Sequence, residues 1–182
     1  MTTDKELQLK QAWEKYRAMW HSIEIPAKTM LLKEGAISNR LYVIKKGSVR
    51  TWVNHDGKEI SFRFFFEGDA VCSVESFRKQ IPSAFAIETI EPSVLNWISK
   101  ADIDTAVQED AFLNHYLVDW AVDRQAEFIR HFLSLLMDNP QQRYANLLKE
   151  QPQIIRRVPL QYIASYLGII TPVSLSRIRN RA

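Results

Sequence analysis

The sequence predicts a mixed α+β fold in three successive parts: an N-terminal β-roll of jelly-roll type, one long helix, and a C-terminal helix-turn-helix. Three observations carry this. Between about Thr29 and Ile98, short β-favouring runs alternate with Gly-bearing turns, the pattern of a roll or barrel. From about 102 to 137, apolar residues recur at helical spacing with no Pro or Gly. From Pro159 onward, two short apolar-periodic segments flank Gly168, and the second is studded with arginine.

The elements follow in order. Asp4 to Trp20 reads as an amphipathic helix, with Leu7, Leu9, Ala12, Trp13, Tyr16 and Trp20 on its apolar side. Pro26 closes that region. Strand runs are expected at Met30–Leu32, Leu41–Ile44, Val49–Val53, Ile60–Phe64, Phe85–Thr89 and Val94–Ile98. Asn54-His55-Asp56-Gly57 between two of them is a hairpin signal. The helix over 102–137 would be roughly 50 Å long at 1.5 Å per residue. Its apolar surface is too wide for one partner, so one side is expected on the roll and the other on a second copy of the chain. Leu117, Trp120, Phe128 and Leu135 are the expected contacts of that seam. Asp138-Asn139-Pro140 is the expected hinge, because Pro cannot continue a helix smoothly. A further helix is expected from about Gln141 to Glu150, broken by Pro152.

In the helix-turn-helix, Leu160, Ile163, Ala164 and Leu167 share one face. Gly168 supplies the left-handed residue that ends the first helix. Thr171 offers an N-cap hydroxyl, and Pro172 suits the first helical position. Leu175 and Ile178 form the buried stripe of the second helix, which leaves Ser174, Ser176, Arg177, Asn180 and Arg181 facing outward. Arginine in such a helix bonds guanine edges, while serine and asparagine reach bases or phosphates. Arg177 is the expected base contact, with Ser174, Ser176 and Asn180 assisting; Thr171, Arg179 and Arg181 would fix the backbone.

Bulk properties narrow the function classes. A hydrophobic fraction of 46% indicates a filled core rather than disorder. Cys72 is the sole cysteine, which leaves no disulfide framework and no cysteine cluster for zinc or iron–sulfur. No signal peptide and no membrane span is legible, so a cytoplasmic location is the expectation. Residues 1–137 hold 17 Lys/Arg against 19 Asp/Glu, a net of −2, whereas residues 138–182 hold 7 against 2, a net of +5. Positive charge gathered on the C-terminal unit is the footprint of a polyanion binder. A cupin-type enzyme on the same roll would need converging histidines; His21, His55, His115 and His131 are scattered with no His-x-His. No catalytic residue, metal ligand or cofactor is therefore assigned.

The order of parts, with Leu31-Leu32-Lys33-Glu34-Gly35, Leu41 to Gly47, Phe66-Glu67-Gly68-Asp69 and Ile163 to Arg179, resembles the Crp/Fnr family of bacterial transcription regulators over nearly the whole chain. The resemblance implies a cyclic-nucleotide-binding-like sensor domain over 1–137, including the dimerisation helix 102–137. It also implies a DNA-binding unit over 138–182 and a homodimer on palindromic double-stranded DNA. It further implies an effector pocket in the roll, and there the chain departs from the family. Cyclic-nucleotide-binding members place a Glu on the ribose and an Arg on the cyclic phosphate. Ser73 stands at the Glu position and Pro82 at the Arg position, with Glu75 two residues late and Ser83 retained. A degenerate pocket that does not take cAMP, with an effector of unspecified chemistry, is the expectation. The turn Gly168 to Thr171 is one residue longer than usual, and Pro172 and Val173 fall where other members carry Arg and Glu. The other reading left open is a ligand-sensing roll whose C-terminal helices bind a protein.

Overall fold

The computed structural model describes residues 3–169 and 171–179. Helix α1 (Thr3–Lys15) leads through a 3-10 turn (Arg17–Met19) into eight strands. These are β1 (His21–Ile25), β2 (Met30–Leu32), β3 (Arg40–Lys46), β4 (Val49–His55), β5 (Lys58–Phe65), β6 (Ala70–Val71), β7 (Ala86–Thr89) and β8 (Ser93–Ser99). Helix α2 (Val74–Lys79) interrupts them after β6. The strands make two four-stranded antiparallel sheets, ordered β1-β8-β3-β6 and β2-β7-β4-β5. Ile44, Val49, Val71, Ile87 and Leu95 fill the space between the sheets. The β4–β5 hairpin turns at Asp56 and Gly57, both at positive φ. Gly47 is needed for room as well as conformation: at φ 101°, a Cβ there would lie 2.2 Å from the Ser93 hydroxyl.

The expected helix over 102–137 is divided. Helix α3 (Lys100–Glu109) ends at Asp110, and α4 (Ala111–Met137) starts there afresh. Asp110 sits at φ −132°, and its carboxylate accepts from the N–H groups of Phe112 and Leu113. A strong N-cap thus restarts the helix with no need for Pro or Gly. The long helix has 27 residues, roughly 40 Å instead of the 50 Å expected.

Helix α5 (Pro140–Glu150) opens on a capping box in which Asn139 and Gln142 exchange side-chain-to-backbone hydrogen bonds. Pro152 does not simply end the helical region. After the cap residue Gln151 it occupies the first turn of a six-residue helix, α6 (Pro152–Arg157). Helices α7 (Leu160–Tyr166) and α8 (Pro172–Arg179) follow.

The C-terminal helices do not hang free. One apolar cluster joins Phe64, Phe66 and Ile90 of the roll to Tyr144, Leu147, Tyr162, Ile163, Tyr166 and Leu175. Helix α7 lies across β5. Among the described residues, no helix is long and apolar enough to cross a membrane.

Candidate nucleic-acid interface and effector groove

Helix α8 is held by burying Leu175 completely, with Ile178 packed beside it. Thr171 Oγ1 accepts from the Ser174 N–H at 3.1 Å, the geometry of an N-cap, and lies 3.0 Å from the Ser174 hydroxyl. Gly168 turns the chain at φ 62°. With Leu175 inward, Arg177 and Arg179 are exposed, while Ser174 and Ser176 are half-buried. Asn180 and Arg181 lie outside the described residues. Ala164 is 2% exposed, the small residue at the helix crossing.

The positive charge of this unit is less available than its residue count suggests. Arg143 is 9% exposed and serves as a structural clamp. Its Nε donates to the Leu167 carbonyl at 2.7 Å, and its Nη1 donates to the Asp138 and Leu135 carbonyls at 2.6 and 3.3 Å. Three carbonyls at two helix ends are thereby satisfied by one guanidinium. Arg157 forks onto Glu67 at 2.6 and 2.8 Å and also reaches Glu91. Lys149, Arg156, Arg177 and Arg179 remain as exposed cations of the described part.

A second guanidinium ties α7 to the roll, at a position that reads in the sequence as an ordinary strand residue. Arg50, in β4, is 1% exposed. It donates to Glu88 at 2.6 and 2.8 Å, to Ser61 at 3.2 Å and to Glu59, and its plane lies 3.6 Å from the Tyr162 ring centroid. Nearby, the Ser61 N–H donates to Ser165 Oγ at 3.1 Å, and Phe64 packs on Tyr166. Tyr166 also stacks on His131 of α4 at 4.0 Å between centroids. Burial pushes the Tyr166 phenol up to about 12 and holds the His131 imidazole below its ordinary range.

The Arg157 fork holds the Glu67 carboxyl at about 2, well under the usual 4.5. A depressed carboxyl stabilises the fold above its unfolded value, and that contribution fades as pH falls. Docking of α6 on the roll is therefore expected to weaken between about pH 4.5 and pH 2. The check is the acid limb of a stability–pH curve, which should be shallower in Glu67→Gln; equal limbs would remove the assignment. Because Glu67 is 42% exposed, the effect is small.

In the roll, two of the four expected effector-pocket residues, Ser73 and Ser83, are brought together, and Glu75 and Pro82 stand apart. Ser73 and Ser83 are both buried, and the Ser83 hydroxyl donates to Ser73 Oγ at 2.9 Å or to the Phe85 carbonyl at 2.7 Å. Glu75 is exposed and pairs with Lys79 at 2.7 Å on the outer side of α2. Pro82 is exposed and bridges Ile37. A groove of about 820 Å³ nevertheless runs between the roll, α4 and the C-terminal helices. Its charged members include Arg63, which ion-pairs with Glu127, and Arg124, which reaches Glu127 at 2.9 Å and Asp69 at 3.7 Å. Burial draws the Arg63 guanidinium below its ordinary value, with Glu127 opposing.

The expected seam residues of the long helix are dispersed. Leu117 and Trp120 pack inward beside Leu41, Cys72, Phe77 and Ile98. Leu135 is half-buried and approaches Gly168, where an added Cβ would lie 3.2 Å from Leu135 Cδ2. Phe128 alone of the four is exposed, stacked on Phe132. Val118, Val122, Ile129, Phe132 and Leu136, with Gln125 in register, form one exposed stripe, and Phe128, Leu133 and Met137 are exposed beside it. The spacing along the stripe alternates four and three, the period found at the seams of two-stranded coiled coils.

The histidines stand apart. His21 stacks on Trp97, His55 is exposed beside Asp56, and His115 Nδ1 lies 2.8 Å from the Ala111 carbonyl. Among the described residues, no group of three or more His, Cys, Asp or Glu is placed to hold a metal.

Residues 22–110 match the family of cyclic nucleotide-binding domains. No curated protein matches the chain. Among solved structures, the fold is similar to FixK2 from Bradyrhizobium japonicum, at 18% identity and TM-score 0.79 over 89% of this chain and 83% of that one. It is similar to the c-di-GMP-responsive global regulator CLP of Xanthomonas campestris, at 19% identity and TM-score 0.74 over 94% and 90%. A crp/fnr-family protein of Eubacterium rectale aligns at 17% identity and TM-score 0.73 over 100% and 83%. Residues 22–110 thus match the cyclic nucleotide-binding domain family, and the chain shares its fold with these solved structures, a crp/fnr-family protein among them.

Proposed function

We propose that the chain is a bacterial DNA-binding transcription regulator that acts in the cytoplasm as a homodimer, with residues 1–137 sensing and residues 138–182 reading DNA. The observation that carries this is α8. It is pinned by one buried leucine and presents Arg177 and Arg179 to solvent. Solved relatives of the same fold include a protein named as a global regulator. The open stripe on α4 supports the dimer: five apolar residues at coiled-coil spacing face solvent in the single chain, a face that soluble monomers rarely leave open. Two such units about the α4 axis would set the readers roughly 34 Å apart, one turn of duplex.

The sensing end is proposed not to take cAMP. Pro82 has no N–H or charge to offer a cyclic phosphate, and Ser73, in the place of the ribose-binding acid, is engaged with Ser83. Arg177 is assigned the principal base contact, with Ser174, Ser176 and Asn180 assisting. Thr171, Arg179 and Arg181 are assigned to the phosphates.

The test is binding to duplexes selected from a random pool, followed over a salt series. The logarithm of affinity should fall with a slope of roughly −0.9 per phosphate neutralised. Arg177→Ala should cost about 1–3 kcal/mol on the selected site and flatten discrimination at one base position per half-site. No duplex binding at low salt defeats the reading. Unchanged discrimination in Arg177→Ala defeats the assignment of that residue alone.

A further inference from the structure

We propose that the groove between the roll and α4 binds a small apolar carboxylate, gripped by Arg63, Arg124 and Thr51, which displaces Glu127 from the two arginines. The proposal rests on the regulator reading above for its purpose, though not for its chemistry.

Two polar atoms in the groove lining are left without partners. Thr51, 2% exposed, has a buried Oγ1 that makes no hydrogen bond, and Arg124 Nε is buried and unpaired as well. Buried polar atoms are nearly always satisfied, so a pair of them in one groove points to something that satisfies both. Arg124 Nε can only donate, and the Thr51 hydroxyl can donate. The complementary group is therefore an oxygen acceptor. Beside a second guanidinium, Arg63, the acceptor that gains most is an anionic oxygen.

Glu127 already occupies part of this position. It holds Arg63 and Arg124 together from α4, yet its side chain is 39% exposed. It can swing to water when another carboxylate arrives, whereas Arg63, at 20% exposure, is more confined. Asp69 also faces Arg124 at 3.7 Å, and Arg130 and His131 stand farther along the groove. With Glu127 withdrawn and one carboxylate bound, the local balance of charge is the same as before.

The body of the ligand follows from the walls. Phe62, Phe85, Cys72 and Trp120 line the groove, and Phe62 meets Phe85 edge to face at 5.1 Å. An aromatic or aliphatic body suits them, and about 820 Å³ is within the range of small-molecule sites. A nucleotide's phosphate would find no cationic partner at Pro82, and Ser73 and Ser83 bond each other at the α2 end. Release of Glu127 would remove an ionic tie between β5 and α4, so occupancy is coupled to the helix that bears the open stripe.

The experiment uses the full chain and phenylacetate as probe, with methyl phenylacetate and cAMP as comparisons, read by tryptophan fluorescence and calorimetry. Saturable phenylacetate binding is expected below about 10 mM, at least about tenfold tighter than the neutral ester. Thr51→Val should weaken it several-fold. Glu127→Gln should tighten it, a gain that misfolding cannot imitate. No saturation in either the parent or Glu127→Gln, equal affinity for the ester, or tighter binding of cAMP would each overturn the proposal. Duplex binding measured on the same samples separates the failures. If duplex is bound and phenylacetate is not, the ligand assignment alone falls. If phenylacetate is bound and no duplex is, the assignment stands and the regulator reading falls.

Discussion

Arg50→Met is expected to destabilise the protein by about 3–5 kcal/mol, more than most single substitutions would cost. The reason is the carboxylate left behind. Glu88 is 12% exposed, and two of the Arg50 hydrogen bonds go to it. Once the guanidinium is gone, that charge stays buried without its partner. Glu59, at 47% exposure, can turn to water and contributes less. Tyr162 loses the cation on its face, and Ser61 loses a donor. In a chain of this length, each kcal/mol moves the melting point by about 2–4 °C, so a fall of at least about 6 °C is expected. The double variant Arg50→Met/Glu88→Leu should recover much of the loss, because removing both charges leaves none unpaired. A single-variant cost below about 1 kcal/mol in denaturant titration, or no recovery in the double variant, would refute the clamp.

On the dimeric reading proposed above, Ile129→Glu combined with Phe132→Glu is expected to convert that dimer to monomer and to weaken palindromic duplex binding by about a hundredfold or more, since two half-sites would no longer be engaged together. Both side chains are about half exposed in the single chain, so the folded monomer should survive. Leu117→Ala is the matched contrast. Leu117 packs inward next to the Leu41 and Ile98 cluster, so its truncation should lower stability and leave the dimer intact. Sedimentation velocity reads the first outcome and thermal melting the second. A double-Glu variant that still sediments as a dimer would place the seam elsewhere.

The sequence and the structure agree where local chemistry decides the matter. The β4–β5 hairpin, the Gly168 turn and the Asn139-Pro140 helix start are each written in two to four adjacent residues, and each forms at its expected place. Strands β1 and β6 were not legible. His21–Ile25 is mostly exposed and polar at alternate positions, and its pairing is supplied by β8, far along the chain. Ala70–Val71 is too short to show any period. Helix α2 has six residues and ends at Gln80, which adopts a left-handed conformation. The division at Asp110 did have a signal, an acidic N-cap residue, but an unbroken apolar period outweighed it.

The candidate site is legible in proportion to its locality. The exposed face of α8 follows from spacing within eight residues. Which apolar residues of α4 stay exposed does not follow from spacing, because its wide apolar surface offers several stripes, and contact with the roll and with the turn at Gly168 covers some of them. Arg50 reads as an ordinary polar position in a strand. Its burial depends on where α7 lands. Counting charge likewise overstated the basic surface, since Arg143 and Arg157 spend their donors on carbonyls and on carboxylates of the roll.

Arg143 bears on how the molecule comes apart. By gripping the last turn of α4 and the last turn of α7 at once, it ties the melting of either helix to that of the other. The apolar cluster running from Phe64 to Leu175 does the same across the whole assembly. Heat should therefore unfold the roll and the C-terminal helices in a single cooperative step, with calorimetric and van't Hoff enthalpies in agreement. The C-terminal helices, cut off from the roll, would lose part of their interior and with it much of their cohesion.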